Sequence, residues 1–276
     1  MKVVKNSGHI VDFDRNKLKR SLEKSGADTA TVKNVLNKIE KSLYHGISTK
    51  QIYKQAFSLL KKEANAHAAR YNLRSGLRQL GPAGFFFEKF ISRLYSFEGF
   101  ETKTNLTLKG KCVSHEIDIC LKKDNTIAIV ECKFHSNQNT HSDVKVPMYI
   151  LSRYNDVKAV TQPVFSDADT INKCVIVTNN RFTTDAVTFA NCSGLELLSW
   201  NYPPEDNIKT KIDDNFLFPV TCLTTLSMAE KEKLLILDII LVNELINNSE
   251  SLEKLGISSN RMKNILKEAS ELCNYL

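Results

Sequence analysis

The chain has 276 residues, 42% of them hydrophobic and 25% charged, the balance of an ordinary globular protein of about two domains. Its longest apolar run, Leu234 to Val242, is interrupted by Asp238 and falls well short of the roughly 20 residues that span a bilayer. No apolar core follows Met1-Lys2-Val3-Val4-Lys5, and the seven cysteines are odd in number without C-x-x-C spacing, so the reading is a cytoplasmic protein with reduced thiols, no secretory signal, no membrane association and no zinc ribbon.

The net charge of +7 is unevenly spread. The first 80 residues hold 17 Lys and Arg against 6 Asp and Glu, and the remainder 21 against 25. A positive field on the first segment favours phosphate-bearing partners, whether nucleotide or nucleic acid.

In chain order, Met1 to Phe13 reads as a hairpin turning at Asn6-Ser7-Gly8. Asp14 is an N-cap for a helix to about Ser25. Val32, Val35, Leu36, Ile39 and Leu43 recur at helical spacing. Ser48 or Thr49 caps a third helix, and a fourth runs from about Ala64 to Leu80. Gly81-Pro82-Ala83-Gly84 then breaks the chain and marks a boundary. An aromatic helix over Phe85 to Tyr95 precedes strands at Phe100 to Leu108, Glu116 to Leu121, Ile127 to Phe134 and Lys173 to Thr178. Helices fall at Asp143 to Val157 and Thr183 to Ala190, and Glu196 to Trp200 reads as a last strand. From Ser227 onward the chain is helical, with Leu234, Leu237, Ile240, Leu241 and Leu245 on one stripe and a tight turn at Leu255-Gly256-Ile257.

The segment richest in chemistry is the pair of strands holding Asp118, Glu131 and Lys133. Side chains two apart in a strand share a face, so Glu131 and Lys133 project together. A hairpin closing over Lys122 to Thr126 puts Asp118 beside Glu131. Two carboxylates inside a near-continuous apolar strand repel each other and are costly there. A hard divalent cation such as Mg²⁺ relieves that repulsion. Lys133 beside it is placed to orient water and offset phosphate charge, the elements of metal-assisted phosphodiester hydrolysis.

Asp118 followed by Glu131-Cys132-Lys133 resembles the PD-(D/E)XK nuclease superfamily, with Ile117 in place of the usual Pro. Glu88 stands where that family carries a Glu on the helix before the sheet. Val175 to Ala190 and Gly194 to Trp200 look like the second half of Mrr-like restriction endonuclease domains, so the resemblance covers about residues 84–200. It implies that Asp118 and Glu131 hold Mg²⁺ or Mn²⁺, that Lys133 positions the attacking water and that Glu88 supports the metal shell. His135 or Lys145 would supply an accessory polar group.

Residues 3–80 look like an ATP-cone, a nucleotide-sensing domain, through Val4-Lys5, Gly8, Phe13-Asp14, Lys17-Leu18, Gly46 to Tyr53 and Ala68 to Tyr71. That resemblance implies that Val4, Lys5, Lys17, Thr49 and Tyr53 line an effector, ATP or dATP. Asn6 replaces a second basic residue usual in that family, and no Walker A pattern is present.

The expected fold class is therefore mixed α+β and α/β. A mostly helical ATP-cone with a small β-hairpin would occupy residues 1–82. A restriction-endonuclease-like mixed sheet flanked by helices would occupy residues 83–204, and a helical region residues 205–276. The function expected is a Mg²⁺-dependent DNA endonuclease responsive to ATP or dATP, a homo-oligomer (dimer or tetramer) serving restriction or phage defence. The alternative is a nucleotide-responsive DNA-binding or regulatory protein with an inactive nuclease fold.

Overall fold

The computed structural model describes residues 1–5, 7–81 and 84–273; Asn6 of the expected turn and Pro82 and Ala83 of the expected joint lie outside the described residues. The chain forms two compact units, Met1–Leu77 with Phe218–Leu276, and Arg78–Leu217. No helix of the described residues is long and apolar enough to cross a membrane.

The first unit opens with antiparallel strands β1 (Lys2–Val4) and β2 (Ile10–Asp12), Val3 opposite Val11. Helices α1 (Arg15–Glu23) and α2 (Thr29–Ser42) start at Asp14 and Asp28, whose carboxylates accept the Lys17 and Thr31 amides at 3.0 and 2.6 Å. Helix α3 (Thr49–Glu63) is capped by Ser48, with Gln51 completing a reciprocal capping box, so Thr49 is its first helical residue. The fourth expected helix is two, α4 (Asn65–Tyr71) and α5 (Leu73–Arg78). They separate at Asn72, whose side-chain oxygen accepts the Tyr53 hydroxyl of α3 at 2.8 Å. Leu22, Leu36, Ile39, Leu60 and Ala56 close the core between these helices.

The second unit begins with α6 (Phe85–Phe97), whose Phe87, Phe90, Ile91 and Leu94 are buried and which packs on the first strands of the sheet. Strands β3 (Glu101–Lys109), β4 (Ser114–Lys123) and β5 (Thr126–Lys133) form an antiparallel meander. Helix α7 (Lys145–Val157) crosses to β6 (Lys173–Thr178), and α8 (Thr184–Ser193) to β7 (Glu196–Ser199), both strands parallel to β5. The sheet order is β3-β4-β5-β6-β7, and α9 (Ile208–Asn215) follows. Ile127, Ala128, Ile129 and Val130 are all buried, as expected of a central strand covered on both faces.

From Phe218 the chain returns to the first unit through a short 3₁₀ turn, Val220–Cys222, then α10 (Met228–Ile236), α11 (Val242–Asn247), α12 (Glu250–Lys254) and α13 (Ser259–Cys273). The single stripe expected across this region is corrected. Asp238 takes a left-handed φ of 62° and ends the helix, so Leu237 is 46% exposed while Leu234 and Leu245 are buried on separate helices. Gly256, with φ of 72°, makes the tight turn between α12 and α13.

One contact seats this segment on α5, and another holds the segment together. A Cβ on Gly76 would meet the Cβ and backbone nitrogen of Cys222 at 2.8 and 2.9 Å, so only glycine allows the approach, and Thr221 Oγ1 donates to the Gly76 carbonyl at 2.8 Å. Glu268, buried on α13, accepts the amides of Thr224 and Thr225 and both their hydroxyls at 2.5 to 2.9 Å. Gly76→Ala is expected to lower folding stability by about 1–3 kcal/mol through overpacking. Glu268→Leu should cost at least as much, because it strands two part-buried amides and two hydroxyls. Denaturant melts of both variants against wild type check this; melts that superimpose would show that these contacts do not hold the unit together.

Candidate functional site

The backbone ladder of β4 and β5 runs from Lys123–Thr126 to Ile119–Val130. Just past it stand the chemistry-bearing residues. Asp118 Oδ2 accepts the Cys132 amide at 2.6 Å, a side chain continuing the ladder. Ile117 and Cys120, three residues apart, belong to one core, so the alternation of β4 is broken between them, at Asp118. Asn105, which the β3–β4 register sets opposite Asp118, has φ of 57°. Such distortions in a strand re-aim a side chain.

Glu131 Oε1 accepts Lys133 Nζ at 2.5 Å, and Oε2 accepts Arg153 Nη1 at 2.8 Å. The second arm of Arg153 donates to the Glu116 carbonyl. Glu88, in the first turn of α6, faces this group. Burial, then the charges of Asp118 and Glu131, push its carboxyl up to about 7. Burial, then Glu131, push Asp118 up to about 6, against the Cys132 amide, Lys133 and Arg153, which lower it. The structure thus brings Glu88, Asp118, Glu131 and Lys133 into one electrostatic cluster.

Among the described residues, no group of three or more His, Cys, Asp or Glu is placed to hold a metal ion. A pair of carboxylates is nonetheless a donor set that Mg²⁺ takes, keeping waters and substrate oxygens for the rest of its shell. The raised proton affinities of Asp118 and Glu88 come first from burial and then from mutual repulsion, and a bound cation would offset both.

The accessory candidates fall elsewhere. His135 Nε2 is 3.0 Å from Ser142 Oγ, and its backbone is clasped by Asn179, which accepts the His135 amide at 2.8 Å and donates to its carbonyl at 2.9 Å. Burial holds the His135 imidazole below its ordinary pKa. Lys145 is exposed at the start of α7. The helix residue that does reach the cluster is Arg153, which the sequence reading missed. Its signal was present: it lies between Ile150 and Val157 on the buried stripe of α7, where a cation needs a partner. Asn179 and Asn180 were also missed; Asn180 donates to the carbonyls of Asn137 and Gln138 at 3.0 and 3.1 Å and holds the loop after β5.

The first unit carries a cavity of about 660 Å³ between β1, β2, α1 and α3. Lys5, Lys17, Thr49 and Tyr53 line it; Val4 does not, and its neighbour Val3 does. Val4 instead donates its amide to the Ile47 carbonyl at 3.0 Å. Phe13, Arg15, Ile52 and Tyr71 also line it, as do the carboxylates Asp12 and Asp14. Tyr53 stacks on Tyr71 with centroids 5.0 Å apart, and burial pushes the Tyr71 phenol up to about 12.

Three family models match the chain in succession: an ATP cone domain over residues 1–78, a restriction endonuclease domain over residues 81–201 and an AF1548-like C-terminal segment over residues 218–273. An uncharacterized protein of Archaeoglobus fulgidus is 30% identical over 185 residues, 66% of this chain and 99% of the relative. The chain belongs to the AF1548-like family. It joins an ATP cone to a restriction endonuclease domain. The crystal structure of AF1548, a protein of unknown function, superposes with a TM-score of 0.57 at 27% identity, covering 69% of this chain and 98% of that one. Can2 from Sulfobacillus thermosulfidooxidans, in complex with cyclic tetra-adenylate, matches at a TM-score of 0.35 and 14% identity over 72% of this chain and 54% of that one, too low to establish a shared fold.

The raised carboxyls carry a stability consequence. A group whose folded pKa exceeds its unfolded value adds stability below the unfolded value and loses it as pH rises through the folded one. With chelator present, the melting temperature is expected to fall between about pH 4 and pH 7 through Asp118 and Glu88. The double variant Asp118→Asn, Glu88→Gln should flatten that slope. Identical pH profiles for wild type and variant would contradict the clustering of these charges.

Proposed function

We propose that this protein is a divalent-metal-dependent DNA endonuclease whose activity or assembly responds to ATP or dATP bound by the ATP cone. The observation that carries the reading is the gathering of Glu88, Asp118, Glu131 and Lys133 at the end of the β4–β5 ladder, within a restriction endonuclease domain. Hydrolysis joins a water oxygen to phosphorus and breaks one phosphorus–oxygen ester bond, with a proton lost from the water and one gained by the leaving oxygen. Asp118 and Glu131 would hold Mg²⁺ or Mn²⁺, which supplies water activation and phosphate charge neutralisation when bound. Lys133, whose ammonium now rests on Glu131, orients the attacking water and offsets phosphate charge. Glu88, with its raised proton affinity, supports the ligand pair from α6.

In the ATP cone, Lys5 and Lys17 would meet the phosphates, the first turn of α3 at Thr49 offers amides to an anion, and Tyr53 and Tyr71 give the base an aromatic wall. A sensor joined to a nuclease suits restriction or phage defence, where cutting is gated, and cutting both strands suits a homo-oligomer. One observation favours a regulatory DNA-binding protein instead: both oxygens of Glu131 are already ion-paired.

Plasmid cleavage with Mg²⁺ or Mn²⁺, with and without ATP or dATP, separates the two. Cleavage by wild type and none by Asp118→Ala is expected; binding of plasmid without cleavage under every nucleotide would favour the regulatory reading. Lys17→Ala should weaken ATP binding by about tenfold, the value of a charged hydrogen bond, measured by calorimetry on the full chain. Unchanged affinity would remove the phosphates from this cavity.

A further inference from the structure

The β4–β5 ladder stops at Ile119–Val130, so the strand segments bearing Asp118 and Glu131 are joined by side chains in its place. One link is the Asp118 carboxylate on the Cys132 amide. The other is Arg153, whose Nη1 donates to Glu131 Oε2 at 2.8 Å while Nη2 donates to the Glu116 carbonyl, two residues before Asp118. A guanidinium is a rigid planar fork, and one that spans two strands fixes their separation as well as the carboxylate it touches. The Arg153 side chain is 13% exposed, and the Tyr149 ring lies over its guanidinium, 5.7 Å from Cζ to centroid. Tyr149 is itself 60% exposed. The tyrosine thereby covers the arginine from α7 and limits its rotamers.

We propose that Arg153 is the positioning residue of the site. It holds the Glu131 carboxylate at a set distance from Asp118 so that the pair meets a divalent cation together, and it leaves Oε1 to Lys133. The role is through Glu131 and not on the phosphate, so its loss acts on cation affinity and turnover more than on nucleic-acid binding. Partners that orient a ligating carboxylate commonly change metal affinity or activity by about 10–100-fold when removed. Charge alone predicts the opposite sign, because deleting a cation beside a cation site tightens it.

The inference takes its chemistry from the nuclease reading, but its test does not need cleavage. Mn²⁺ alone is titrated into the full chain, wild type, Arg153→Ala, Arg153→Lys and Asp118→Ala, by calorimetry or by the Mn²⁺ electron-spin signal. Arg153→Ala is expected to weaken Mn²⁺ binding by about tenfold or more. Arg153→Lys, which keeps the charge and can regain only one arm of the fork, should recover part of that loss. Where cleavage is measurable, kcat should fall with KM for DNA within about twofold. A circular-dichroism melt of Arg153→Lys beside wild type keeps a folding defect from being read as a site defect. Unchanged or tighter Mn²⁺ binding by Arg153→Ala overturns the inference, as does a wild type without Mn²⁺ affinity or full recovery by lysine. A wild type that binds Mn²⁺ and cuts nothing sinks the nuclease reading and leaves the role of Arg153 to be judged by the titration.

Discussion

Glu131 keeps 8% of its surface in water and follows four buried apolar residues in the central strand of the sheet. A carboxylate so placed stays charged only if cations and hydrogen bonds replace the water it has lost. Lys133 takes one oxygen and Arg153 the other, and both pairs are short. Much of the second unit follows from meeting that need. Arg153 is brought in by α7, whose Ile150 and Val157 anchor the helix in the core on either side of it. Burial first, and then the negative charge of their carboxylate neighbours, raises Asp118 and Glu88. The cluster is therefore one electrostatic object, and changing Glu131 or Lys133 alters the proton affinity of Asp118 and Glu88.

The same unit needs its downstream half to hold the site's surroundings. The loop after β5 is pinned by Asn179 and Asn180, which follow the end of β6 and bond backbone groups 42 to 44 residues earlier. The Thr178 hydroxyl donates to the Lys133 carbonyl at 2.7 Å, tying the end of β5 to its parallel neighbour. These buried polar side chains satisfy backbone groups that no strand reaches. Their place beside the site follows from the parallel register of β5 with β6.

How much of this could be read from the sequence depends on the range of the interaction. Strands and helices with strong periodicity, β5 and α2 among them, were legible because local pattern and tertiary burial agree. The Asp118, Glu131 and Lys133 set was legible because a short hairpin fixes its own register. Arg153 could be placed on the buried stripe of α7 by its position between Ile150 and Val157, but that its partner there is Glu131 of β5 is a tertiary fact the local pattern does not contain. The break at Asn72 comes with a bond to Tyr53, nineteen residues away, and no propensity contains that bond. The packing of Phe218–Leu276 on the first helices was invisible for the same reason: Gly76 reads as an ordinary helical glycine until Cys222 is found against it.

That packing bears on how a nucleotide could be sensed. Helix α3 lines the cavity with Thr49, Ile52 and Tyr53, and from its far end Lys61 donates to the Thr224 carbonyl at 2.9 Å. Thr224 is the residue that Glu268 of α13 holds. Tyr53 also stacks on Tyr71 and bonds Asn72, the joint leading into α5 and thence to Gly76 and Cys222. Two routes thus run from the cavity wall to the C-terminal helices within one compact unit. A ligand shifts such a unit only as far as it binds two of its arrangements unequally. The Tyr53–Tyr71 pair is where an inequality would arise, because a base stacking there competes with, or extends, a contact the protein already makes. The C-terminal helices are therefore part of the same compact unit as the cavity, and any change that a ligand made at its wall would meet them first.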